Sequence, residues 1–305
     1  MRFFSRGKLL ISGEYLVLKG ATALAAPLKK GQDLKITRTG NHDVLAWESR
    51  EYGIPWFRAS FMKPFFEIGE SSDLPTAQNL VKHFQAMADM NPRIPELLFG
   101  SQVTTDLGFN RQWGFGSSSS LVSNLAGLAD VDPFTLHRKL SVGSGYDVVC
   151  AREEGPVFFK LKRQRYELSA VDLQKGVTKF LYFVYLGKKQ DSRRHVSEFL
   201  SRKKAFRVEK RLVSELGQHM AYAANIEDFA FYMKEHEQVI SSVLRMPGLK
   251  EGLFSDLEGE AKSLGAWGGD FAMITWKGTR KRLQAYLADK KLDTFFSFSE
   301  LVKTR

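Results

Sequence analysis

The 305-residue chain has a single cysteine, Cys150. Neither an intrachain disulfide nor a cysteine-based zinc site can be built from one thiol, which suits a reducing cytoplasm. The six histidines show no HExxH or other ligand spacing. No apolar run approaches the ~20 residues needed to cross a bilayer. Residues 1–27 superficially imitate a secretory signal, with Arg2 early and Ala23-Leu24-Ala25-Ala26 late, but Lys8, Glu14 and Lys19 interrupt the segment that would have to be apolar. A soluble, cytoplasmic protein with no membrane partner is expected. Internal repeats and low-complexity segments are lacking, as are a GxxxxGK[ST] loop and a GxGxxG turn, which sets aside P-loop NTPases and dinucleotide folds. No RNP-type aromatic motif or concentrated Lys/Arg stripe is found, so nucleic acid is not an expected partner.

What is present is an ordinary globular balance, 43% hydrophobic and 26% charged, with 24 Phe for a large core. The length suits two domains. The net charge of +11, from 45 Lys and Arg against 34 Asp and Glu, favours anionic partners such as nucleotides, phosphorylated metabolites or carboxylates.

Leu9–Leu18 reads as a strand that runs into a turn and then a short apolar element, and strands are predicted at Thr22–Pro27 and Asp33–Thr37, with Val44–Trp47 as a hairpin partner. A helix follows over Thr76–Met90, stopped by Asn91-Pro92, then a strand over Gln102–Gly108. Leu121, Val122, Leu125, Leu128 and Ala129 recur at helical spacing, and Asp132-Pro133 is read as the end of that helix. Further strands are expected at Val157–Lys162, Phe180–Leu186, Phe271–Trp276 and Thr294–Phe298. Helices are expected at Phe206–Ala224, Ile226–Leu244 and Arg280–Asp289. The polar stretch Glu167–Gly176 is read as a passage between domains. This irregular mixing of strands and helices predicts an α+β protein of two lobes.

The most informative segment is Trp113-Gly114-Phe115-Gly116-Ser117-Ser118-Ser119-Ser120, placed directly before a helix. Its glycines let the backbone bend close to a ligand. Exposed N–H groups then meet a helix N-terminus, whose unpaired donors and dipole favour an anion. Serine hydroxyls add donors and can ligate Mg²⁺. The same pattern also serves as an ordinary Ser-rich cap.

Gly7-Lys8-Leu9-Leu10-Ile11-Ser12-Gly13-Glu14-Tyr15 resembles the first motif of the GHMP kinases, the superfamily of galacto-, homoserine, mevalonate and phosphomevalonate kinases. Gly114-Phe115-Gly116-Ser117-Ser118-Ser119 is similar to its phosphate-binding motif, and Lys262-Ser263-Leu264-Gly265-Ala266-Trp267-Gly268-Gly269-Asp270 to its third, glycine-rich motif. Gly143-Ser144-Gly145-Tyr146-Asp147 resembles the segment that carries the family's aspartate. Four matches in order span residues 7 to 270.

The resemblance implies a ribosomal protein S5 domain 2-like lobe over residues 1–165 and a ferredoxin-like lobe over residues 166–305. It implies transfer of the γ-phosphoryl group of ATP, with Mg²⁺, to a small acidic acceptor by a monomer or homodimer. Lys8 and Asp147 would be catalytic, Lys8 as a point charge and Asp147 as a carboxylate that orients or deprotonates the acceptor and pairs with Lys8. Gly114, Gly116, Ser117, Ser118 and Ser119 would hold ATP, with Ser118 on the metal. Glu14, Tyr15, Ser144, Gly145, Ser192, Gly265, Gly268 and Gly269 would lie near the acceptor. Where mevalonate kinases carry a metal-binding glutamate, this chain has Leu136-His137-Arg138-Lys139-Leu140, which contains no acid. Glu14-Tyr15 and Gly268-Gly269-Asp270 look most like phosphomevalonate kinases, with mevalonate kinase as the alternative. Lys188, Lys189, Arg193 and Arg194 around Ser192 suit an anionic acceptor or a solvated basic loop equally. An RNA-binding or non-catalytic S5-like protein is the alternative of another class.

Overall fold

The computed structural model describes residues 1–187, 192–201, 205–265 and 270–305, with backbone only at 192–195. The chain divides into two compact units. One comprises Met1–Gly7, Lys30–Arg111 and Phe115–Arg152, and the other Lys8–Lys29, Gln112–Gly114 and Glu153–Arg305. Strand β1 (Arg2–Ser12) starts in the first unit and ends in the second, whereas β2 (Thr22–Arg38) runs from the second into the first.

The first unit continues with β3 (Val44–Glu51), β4 (Ile54–Met62), β5 (Glu67–Ser71), α1 (Leu74–Met90), α2 (Ile94–Leu98) and β6 (Ser101–Leu107). Three helices complete it: α3 (Ser117–Ala129), α4 (Pro133–Leu140) and α5 (Tyr146–Cys150). Its strands pair in the order β5-β4-β3-β6-β2, all antiparallel except β3 with β6. The aromatic core gathers on Phe84 of α1, whose ring lies 5.1 Å from Phe61 and 5.5 Å from Trp47. Asp73 starts that helix by accepting the Thr76 N–H at 2.9 Å.

Three expectations need correction here. The two strands expected at Thr22–Pro27 and Asp33–Thr37 are one strand, β2. A Cβ on Gly31, between the two expected strands, would come within 2.4 Å of the Ser5 carbonyl oxygen, so the glycine serves close backbone approach inside one strand. Val44–Trp47 does not pair with Asp33–Thr37. It forms a hairpin with β4 through Tyr52 and Gly53, at φ 52° and 79°, which suits a type I′ turn. Asp132-Pro133 begins α4 instead of ending α3. Asp132 accepts the Thr135 N–H at 2.7 Å, while α3 has already stopped at left-handed Asp130.

In the second unit the first half of β2 pairs with β7 (Val157–Lys162), and β7 with β8 (Arg165–Ala170). The expected polar passage from Glu167 therefore begins as a strand. Its exposed, alternating side chains read as loop because β8 pairs with β7 and leaves most of its residues in solvent. Next come α6 (Lys175–Thr178), β9 (Leu181–Tyr185), α7 (Ser192–Ser201), α8 (Arg207–Tyr222), α9 (Ile226–Leu244) and β10 (Ala261–Leu264). The unit ends with β11 (Phe271–Thr275), α10 (Arg280–Asp289), β12 (Phe295–Ser297) and α11 (Phe298–Leu301). The order β10-β11-β9-β12 makes a separate antiparallel sheet. One core cluster joins Leu16, Phe199, Val213 and Ile240. Another joins Val184, Phe254, Ile274 and Leu283.

Candidate functional site

In the first unit the functional candidates lie at the start of α3. Phe115 is fully buried, with its ring edge-on to Phe109, and anchors the loop. Gly116 is the N-cap at φ 88° and offers no side chain to the first N–H groups, and no acid occupies the first turn. The serines divide by direction. Ser119 donates back to the Gly116 carbonyl at 2.9 Å, and Ser120 donates to the Ser117 carbonyl and to Gln32 Oε1. Asn124 Nδ2 donates to the Gln32 carbonyl at 2.8 Å, which fastens α3 to β2. Ser118 is exposed, and its hydroxyl and that of Ser117 have no protein partner among the described residues. Buried serines thus hold the helix while its first amides stay uncapped and the exposed Ser118 hydroxyl has no partner among the described residues, an arrangement suited to an anion.

Ser144, Gly145 and Asp147 share one turn at the start of α5. Gly145 has φ 77°, and a Cβ there would lie 2.7 Å from the Phe134 ring, so only glycine fits. Ser144 is buried. Asp147 is half-buried, and its Oδ1 accepts the adjacent Val148 N–H at 3.1 Å. Beneath this turn packs His137, buried, with Nε2 unpartnered among the described residues.

In the second unit Lys8 and Gly114 are brought together. Lys8 Nζ donates to the Gly114 carbonyl at 3.0 Å. Gly114 has φ 65°, and a Cβ on it would sit 2.0 Å from Asp270 Oδ2. Trp113 lies edge-on to Phe296 at 5.3 Å and to Phe271 at 6.4 Å, which seats the loop on the small sheet. The Tyr185 phenol is pushed up by burial and, secondarily, by the Asp270 carboxylate. An ammonium and a carboxylate therefore meet at one glycine. Asp270 ends the third sequence motif, yet sequence reasoning gives it no role in the site.

Glu14 lies in the interior. It is 1% exposed and ion-paired with Lys262, which is 0% exposed. Burial raises the Glu14 carboxyl above the usual range, and the Lys262 ammonium pulls it back only in part. Tyr15, at φ 59°, packs its ring 5.5 Å from Phe199. Gly265 has φ 73°, with no described residue within 4 Å of where a Cβ would stand. Ser192 is the first residue of α7. Gly268 and Gly269 lie outside the described residues, as do Lys188 and Lys189. Sequence reasoning missed Lys262, His236 and Glu237. The only signal for Lys262 was its place as the first residue of the third, glycine-rich motif.

No family model and no curated protein sequence matches the chain. Solved structures do. Streptococcus pneumoniae phosphomevalonate kinase, in complex with phosphomevalonate and AMPPNP, is similar with TM-score 0.71 and 17% identity, over 97% of this chain and 99% of that one. Methanococcus jannaschii mevalonate kinase gives 0.70 at 13% identity, over 100% and 98%. Lactococcus lactis galactokinase, complexed with galactose, gives 0.70 at 12% identity, over 99% and 93%. The fold is that of the GHMP small-molecule kinases, along the whole chain.

Proposed function

We propose that this chain is an ATP-dependent kinase that phosphorylates a small acidic acceptor, with phosphomevalonate as the preferred substrate. The observation that carries this reading is the Lys8 ammonium held 3.0 Å from the Gly114 carbonyl, in the loop that two residues later becomes the uncapped N-terminus of α3. The fold likeness supports it. In this reading residues 1–165 form the nucleotide lobe and residues 166–305 the acceptor lobe.

The amides of α3 and the Gly114–Ser119 loop bind the ATP phosphates, and Lys8 offsets charge that builds on the transferred group. Mg²⁺ supplies neutralisation of the phosphate oxygens. Ser118, with its free exposed hydroxyl, is the residue that would hold it. No cluster of three or more His, Cys, Asp or Glu that could hold the ion in its place is found among the described residues. Asp147 orients the acceptor. Glu14, Tyr15, Ser144, Gly145, Ser192, Gly265, Gly268 and Gly269 are the residues this reading assigns to the acceptor.

Asp147 also separates this reading from mevalonate kinase. A hydroxyl acceptor needs its proton moved, whereas a phosphate monoester, with a second pKa near roughly 6, is already anionic at neutral pH. The test compares kcat/KM for both acceptors in wild type and in Asp147→Asn. The reading predicts preference for phosphomevalonate and measurable activity in the variant. Preference for mevalonate with near-total loss in the variant would move the assignment to mevalonate kinase.

A further inference from the structure

We propose that Lys262, with Glu14, His236 and Glu237 around it, forms a buried positioning clamp that sets the strand bearing Lys8 and the strand that Asp270 leads into. The clamp rests on the kinase reading only for its catalytic consequence, and its existence follows from geometry within one unit.

Lys262 Nζ donates to Glu14 Oε1 and to the Ser263 carbonyl at 2.9 Å, and lies 4.0 Å from Glu237 Oε2. Glu237 Oε1 accepts the Ser263 N–H at 3.0 Å. His236 Nε2 accepts the Gly13 N–H at 3.1 Å and stands 3.6 Å from Glu14 Oε2. That bond requires the bare nitrogen, so the imidazole is neutral, and burial together with the Lys262 charge holds its pKa well below the usual value. Ser12 completes the grip. Its Oγ accepts the Leu24 N–H at 3.1 Å and rests on Gly217 of α8, where a Cβ would come within 2.4 Å of it. Elements β2, α8, α9 and β10 therefore all fasten the turn Ser12–Glu14.

Two strands leave this clamp toward the same glycine. β1 enters the turn at Ser12 and carries Lys8. β10 carries Lys262 and pairs with β11, Lys262 opposite Met273 and Leu264 opposite Phe271, and Asp270 directly precedes that strand. Lys8 and Asp270 both meet Gly114. A buried ion pair is a poor stabiliser, since well-packed apolar residues often do as well, and registry is its best-attested use. Glu14 Oε2, Glu237 Oε2 and His236 Nδ1 have no hydrogen-bond partner among the described residues, a cost that a purely structural core would avoid.

The test uses the full chain carrying Glu14→Gln with Lys262→Met, so that no charge is left buried alone, with Lys262→Met by itself for comparison. Two readouts are taken. Amide hydrogen exchange at Gly13, Leu16 and Val17 is expected to quicken at least about tenfold in the double variant, with α1 amides unchanged, a span typical of a local opening. Acceptor-dependent kcat is expected to fall about 10- to 100-fold, with the ATP KM within about threefold, as for a small misplacement of a catalytic group. Unchanged exchange at the turn, or wild-type kcat in a double variant that turns over, overturns the clamp. If the wild type phosphorylates no acceptor the kinase reading fails, while the exchange result still decides whether the clamp exists.

Discussion

Among single residues, Gly114 carries the tightest constraint. Its left-handed φ, and the 2.0 Å that would separate a Cβ at this position from Asp270 Oδ2, leave no room for a side chain. Gly114→Ala must therefore move the loop or the carboxylate, and kcat is expected to fall at least about 100-fold, a loss typical of a displaced catalytic group. Lys8→Met removes the charge without crowding the loop and is expected to lower kcat by about 10²–10³ with a smaller change in KM. A raised KM at unchanged kcat would place Lys8 in ground-state binding. Lys8, Ser118 and Asp147 could be singled out from the sequence because each sits in a short, ordered pattern of glycine and hydroxyl residues. Lys262 and Glu14 were not paired in advance because 248 positions separate them. A buried ion pair leaves no local spacing to read.

Among the elements, helices α1, α8, α9 and α10 were legible from apolar period and caps, to within about two residues at each end. The errors fell on punctuation. The two strands expected on either side of Gly31 are one, with Gly31 a close contact, Asp132-Pro133 reads as a stop and begins a helix, and Ser117–Ser120 read as loop although α3 begins at Ser117. In each case one residue type serves two backbone roles, and only the partner strand or cap decides between them. The division of labour within α3 makes a sharp prediction. Ser118→Ala is expected to cripple Mg·ATP use while leaving thermal stability within ordinary surface-mutation limits, about 0.5 kcal/mol. Ser120→Ala is expected to cost about 1 kcal/mol of stability through its lost bond to Gln32. Denaturant titration beside ATP turnover checks both.

For the molecule as a whole, the clamp should mark the dependence of stability on pH. Burial raises the Glu237 carboxyl from 4.5 to about 7. Between those values the folded state holds a proton that the unfolded chain has released, so stability falls as pH rises through the window and levels off above about 7. His236 has the opposite sign, since its depressed pKa makes stability fall as pH drops below its ordinary 6.5. Glu237→Gln keeps an oxygen for the Ser263 N–H and removes the first effect alone. Its melting temperature relative to wild type is therefore expected to be higher at pH 8 than at pH 5, and parallel curves would refute the assignment. The kinase assignment itself is decided by acceptor-dependent ATP consumption with Mg²⁺ across phosphomevalonate, mevalonate, galactose and homoserine. Turnover is expected with an anionic acceptor, greatest with phosphomevalonate and reduced about 100-fold or more in Lys8→Met. Turnover with none of the four, or turnover indifferent to Lys8→Met, would contradict it.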